Sequence, residues 1–204
     1  MTHIPELFAL RKVPSFVATW LLIGLSQMGL LLSILLTKDT RWFQWHLSRL
    51  GEGESIASAI FNFTMGVSSV ILVVIATRLV NDIRQTRWHS GAIALRNMLS
   101  GIAICWVGVA CFPFDRYPVV HNVFGYGQFL IVSILMLRLK QICPRFSSRT
   151  YIIGIASVVG VSLLLAGFHI LHIGTVLMAE LLGQFTLFSW LLSLTHDVNP
   201  RKKL

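Results

Sequence analysis

Six apolar stretches separated by short polar connections organise the chain: about Ser15 to Leu36, Ser55 to Thr77, Ile93 to Phe112, Pro118 to Leu137, Tyr151 to His169 and Thr175 to Leu194. At a rise of 1.5 Å per residue, about 20 helical residues cross the roughly 30 Å hydrocarbon core of a bilayer, and each stretch is about that long. The pattern predicts an all-α fold, a polytopic integral membrane protein in which residues 1–204 form a single membrane domain, a six-transmembrane-helix bundle. The last two stretches nearly run together. One unbroken helix there would be about twice what the bilayer needs, so a tight hairpin is expected near Ile170 to Gly174. The first stretch follows Arg11 and Lys12 as the apolar part of a signal peptide would, but it is too long and no small-residue cleavage site follows, which predicts a retained helix. No internal repeat is evident.

Composition narrows the alternatives. With 55% hydrophobic and 12% charged residues and a mean hydropathy of +0.74, the chain has more apolar surface than a water-soluble core could hide. A net charge of +9 would suggest nucleic acid in a soluble protein. Here the bases cluster in short connections between apolar stretches, so topology accounts for them and no nucleic-acid partner is expected. On one side lie Lys38, Arg41, Arg49 and Arg116; the rest of the 17 basic residues fall on the other, Arg96 being assigned to the connection it adjoins. The richer side should be cytoplasmic, which puts both termini there (N-in/C-in). Cys105, Cys111 and Cys143 form no CxxC pair and read as inert thiols.

Under this topology most polar residues unusual for a span gather near the outer face. His46, Ser48, Glu52 and Glu54 lie in the first outer connection, Asp115 in the second, His121 and Asn122 at the start of the fourth helix, and His169 and His172 at the last outer turn. Asn62 and Glu180 lie deeper, roughly 7 to 11 Å below the boundary by helical rise. All could line one outward-facing polar pocket. Glu180 stands out, since an ionisable residue among Leu177, Met178, Leu181 and Leu182 costs about 2.5 to 3.5 kcal/mol if it faces lipid at mid-membrane. It is expected to face the bundle, as a proton acceptor, metal ligand or cation partner, or as a shallow carboxyl reaching interfacial water.

Three further patterns leave alternatives open. His169 and His172 are three apart and would share one helix face, so with a third ligand from His121, or a carboxylate from Asp115 or Glu180, they are candidate ligands for a metal, zinc being one candidate; interfacial histidines are the plainer reading. Cys111 to Gly125 holds Pro113 and Pro118, which suit the end of the third helix and the first turn of the fourth; Asp115 and His121 are then either corner residues or ligand contacts. Arg41 to Glu52, with Trp42, Phe43 and Trp45, reads as an interfacial anchor or as a lid over the pocket. Gly101 and Gly108, and Gly160 and Gly167, suit close helix packing within the chain or in a homo- or hetero-oligomer.

Ser48-Arg-Leu-Gly51, Phe61-Asn62, Phe112-Pro-Phe-Asp115, His121 and Glu180, in this order, resemble the prokaryotic membrane-protein family described as domain of unknown function 998, itself distantly similar to the DRAM-like six-span proteins. The resemblance spans nearly the whole chain. It implies a six-helix bundle in a prokaryotic plasma membrane and carries no established reaction. A rhomboid-like protease is excluded because no Gly-x-Ser-Gly occurs. A metal-dependent intramembrane lipid hydrolase of the alkaline-ceramidase type has the right residue types in Ser48, Asp115, His121, His169 and His172, although the His-x-x-His spacing departs from that family. A small-solute transporter would need polar residues through the inner half as well. The leading expectation is a binding, sensing or accessory protein for membrane lipids, with catalysis left open.

Overall fold

The computed structural model describes residues 14–84, 89–144 and 146–198; the basic residues Arg11, Lys12, Arg87, Arg145, Arg201, Lys202 and Lys203 lie outside them. The described residues form six long helices and no strand: α1 (Ser15–Leu36), α2 (Ile56–Arg84), α3 (His89–Cys111), α4 (Pro118–Ile142), α5 (Ser148–Leu171) and α6 (Val176–Asp197). All six contain stretches long and apolar enough to cross a membrane, and the chain is an integral membrane protein. Number and order match the hydrophobic pattern, and α1, α2, α4 and α6 start within one residue of it, while α3 begins at His89 and α5 at Ser148, earlier than the expected Ile93 and Tyr151. The clearest difference is length, since α2 runs to 29 residues, or about 43 Å. Its last turns carry Arg78, Asp82 and Arg84, residues that end an apolar stretch without ending a helix, because they have good or adequate helix propensity and no proline or glycine interrupts them.

Local chemistry sets the ends. Pro118 occupies the first turn of α4, where its missing N–H costs nothing. Ser147 caps α5 by accepting from the Thr150 N–H. The α5–α6 hairpin is as tight as expected: His172 adopts a left-handed conformation (φ 55°), Gly174 has φ 82°, and the Ile173 N–H returns to the Gly167 carbonyl at 3.0 Å.

Each helix packs on its neighbours in sequence and α6 returns to α1, so the six form a closed ring. The half bearing the α2–α3 and α4–α5 connections is filled by Leu72, Ile75, Leu79, Leu95, Leu99, Leu135, Leu139, Trp190, Leu191 and Leu194, all buried. Polar clasps close that end: Ser15 donates to Asp82 at 2.9 Å, and Thr150 and the Ser147 N–H donate to Asp197, each at 2.8 Å. Outside the ring, Leu21, Leu35, Phe63, Val70, Ile104, Leu130, Ile152, Leu163 and Phe185 are exposed, the inverted distribution of a protein whose solvent is lipid. Gly108 lets α4 approach α3, because a side chain there would overlap the Phe124 ring; this glycine serves packing within the chain.

Candidate functional site

The other half of the ring is hollow. A cavity of about 420 Å³ lies between all six helices, within the range that holds small ligands. Its floor is the hydrogen bond between Ser26 and Ser68, 2.9 Å, above the packed core. Apolar side chains such as Phe61, Met65, Ile102, Trp106, Val132 and Leu187 form most of its wall. Its roof is the α1–α2 connection, which contributes Trp45, His46, Leu47 and Ser48. Exposed Trp45, Asn122 and Tyr126 mark the mouth. Of the consecutive helix pairs, α4 and α5 pack least extensively, which leaves a loose seam beside Tyr126 and Phe168.

The roof is two short 3₁₀ turns, Arg41–Gln44 and Leu47–Gly51. It is held because the first N–H groups of a helix need acceptors. The Leu177 N–H at the start of α6 donates to the Trp45 carbonyl at 2.9 Å, and the Leu47 N–H donates to the Glu180 carboxylate from the opposite direction. Leu47 and Leu50 bury themselves against Phe61 and Leu177. Asn62 donates to the Gly51 carbonyl at 3.0 Å, Asp115 accepts from the Gly53 N–H at 3.2 Å, and Arg116 donates to Glu54 at 2.7 Å. The second connection thus clamps the first.

Beneath the roof lies a chain of polar contacts with one consistent assignment of protons. His121 Nδ1 is 2.8 Å from the Phe112 carbonyl, which can only accept, so Nδ1 carries the hydrogen and Nε2 is the bare acceptor. Ser48, 2.9 Å from that Nε2, therefore donates its hydroxyl hydrogen to His121. His46 Nδ1 is also 2.9 Å from Ser48 Oγ and must then donate, leaving His46 Nε2 as a lone pair. That nitrogen is buried and meets no hydrogen-bond partner among the described residues. The Phe114 ring stands edge-on to both imidazoles, at 5.0 Å and 5.7 Å between centroids. A hydroxyl donating to a neutral, backbone-oriented imidazole is the geometry of a nucleophile and its base, although here the second imidazole N–H also occupies the serine oxygen.

His46 is kept neutral. Burial first, then the neighbouring His121 and Arg49, lower its pKa from 6.5 to about 4. The folded protein therefore binds fewer protons than the unfolded chain between those values, and stability is complete above about pH 6.5 and declines as pH falls toward 4. Allowing for partial exposure, a loss of about 1–2 kcal/mol is expected. Unfolding midpoints across this range should fall for the native chain and vary less in His46→Gln; equal slopes would remove His46 as the cause. Glu52 is raised by burial, against the opposing charge of Arg49, whose Nε lies 3.6 Å from it.

Of the ten candidate residues, His46, Ser48, His121, Asn122 and Glu180 line one cavity. Glu52, Asn62 and Asp115 support the roof instead. The expected histidine pair does not form: α5 stops at Leu171, and His172 turns into the left-handed region, off the helix face. Both histidines are exposed, and His169 meets the Tyr126 hydroxyl at 3.2 Å. His121 has both nitrogens engaged, and no group of three or more His, Cys, Asp or Glu suited to a metal occurs among the described residues. These side chains do not fit the zinc site suggested by residue type. The sequence reading missed the Phe112 carbonyl, the Leu47 N–H and Phe114, of which only Phe114, bracketed by proline and aspartate at the corner, left a sequence signal.

Comparison of the chain with family models, with curated proteins and with solved structures gives no match.

Proposed function

We propose that this protein binds an amphiphilic molecule from the membrane, in a binding, sensing or accessory role. One observation carries the reading: a cavity with an apolar body and a cluster of polar groups at its roofed end, Ser48, His46, His121 and Glu180, reached past exposed Trp45, Asn122 and Tyr126. A molecule with a chain and a compact head matches that division, since apolar walls hold the chain and a few placed polar groups orient the head. The loose α4–α5 seam suits lateral entry from lipid. The excess of bases on the other side favours an outward cavity with both termini in the cytoplasm, and the resemblance noted above favours a prokaryotic plasma membrane.

The test uses Trp106, which lines the cavity. Titration of bromine-tagged dodecanol into the protein in lipid nanodiscs should quench tryptophan emission saturably beyond partitioning into protein-free discs. Gly183→Phe, which fills the wall opposite Val161, should abolish the saturable component. Quenching that rises only linearly with probe would remove the reading.

A further inference from the structure

The roofed end of the cavity leaves Glu180 short of donors and, among the described residues, holds no positive charge. Among the described residues neither lysine nor arginine lines the cavity, and Glu180 is the one acid that does. Arg49 of the roof lies over the Trp45 ring, 5.5 Å from its centroid, with its Nε 3.6 Å from Glu52, and is not among the lining residues. Glu180 receives one hydrogen bond, from the Leu47 N–H, against the several that a carboxylate can accept. His46 Nε2 is without a partner among the described residues, but it is buried out of reach of the cavity. Buried polar atoms are rarely left unmatched, because each costs about 1–3 kcal/mol. Trp106, Phe114 and Phe129 also line the cavity, and aromatic rings there tolerate a cation better than aliphatic walls would.

Resting on the amphiphile-binding reading, we infer that the head of the ligand is a hydrogen-bond donor carrying positive charge: a single-chain primary amine, whose ammonium meets Glu180. A phosphate or carboxylate head is disfavoured, since it would bring negative charge to Glu180 with no base to balance it. Ammonium supplies up to three donors and neutralises a carboxylate that the protein itself leaves without a counter-charge.

Competition against the bromine-tagged dodecanol in zwitterionic nanodiscs separates the outcomes. Dodecylamine is expected to displace the probe at a concentration roughly ten-fold lower than untagged dodecanol does, after correction for partitioning into protein-free discs, and dodecanoate to displace it least. Glu180→Gln should bring the potencies of amine and alcohol together, each being read relative to that variant's own affinity for the probe. Equal potency of amine and alcohol on the unaltered protein overturns the inference and leaves the amphiphile pocket standing, and that comparison decides even where Glu180→Gln fails to fold. Absence of saturable probe binding overturns the pocket itself, and the inference with it.

Discussion

Replacing His121 with leucine is expected to lower the unfolding free energy by about 2 kcal/mol, because its two part-buried hydrogen bonds, to the Phe112 carbonyl and to Ser48, are lost at about 1 kcal/mol each. His121 is 5% exposed. It joins three parts of the chain: α4, which carries it; the end of α3, whose Phe112 carbonyl it satisfies; and the roof, through Ser48. Leucine fills a similar volume, so the effect isolates the polar bolt from packing. Ser48→Ala should cost about 1 kcal/mol, and the double variant less than the two single losses together, since the Ser48 contact is counted in both. Denaturant unfolding in micelles, followed by tryptophan emission, gives all three values. A His121→Leu loss below about 0.5 kcal/mol, within the range of ordinary surface changes, would mean that the roof is held without it.

The second large effect lies in the packed half. Trp190 is fully buried and fits against Met136 of α4 and the bare backbone of Gly154 in α5, where an added carbon would come within 3.2 Å of the indole nitrogen. Trp190→Ala should cost about 3 kcal/mol. Comparable deletions in soluble cores cost about 3–5 kcal/mol, and in lipid the loss is chiefly of packing contacts, because the separated helices would also be in an apolar solvent. Trp190→Phe should cost far less, since the indole N–H meets no partner among the described residues and no hydrogen bond is lost. The pair is read by the same unfolding measurement; equal losses for alanine and phenylalanine would point to the N–H, not the volume.

These two residues mark how differently the halves of the molecule were legible. Trp190 lies in an apolar stretch, and nothing in its neighbourhood along the chain distinguishes it from lipid-facing Phe185. Glu180 was legible because a carboxyl in an apolar span must be turned inward or cost several kcal/mol. The His169 and His172 pair was misleading, because spacing implies a shared face only while the helix continues, and here it ends between them.

What the sequence by itself determined is the solvent and the architecture. Six stretches of about bilayer length allow no other home for so much apolar surface, and backbone hydrogen bonding in lipid then requires helices. Pro113, Pro118 and Gly174 placed two of the connections through backbone geometry alone. The tertiary structure alone decided that Ser48 and His121, 73 positions apart, meet beneath a roof stitched to α6, while Asn62 and Asp115 become its supports. Periodicity reports which side of a helix is apolar. In lipid both the interior and the surroundings are apolar, so the direction in which each helix faces, and with it the cavity, emerges only when all six pack together.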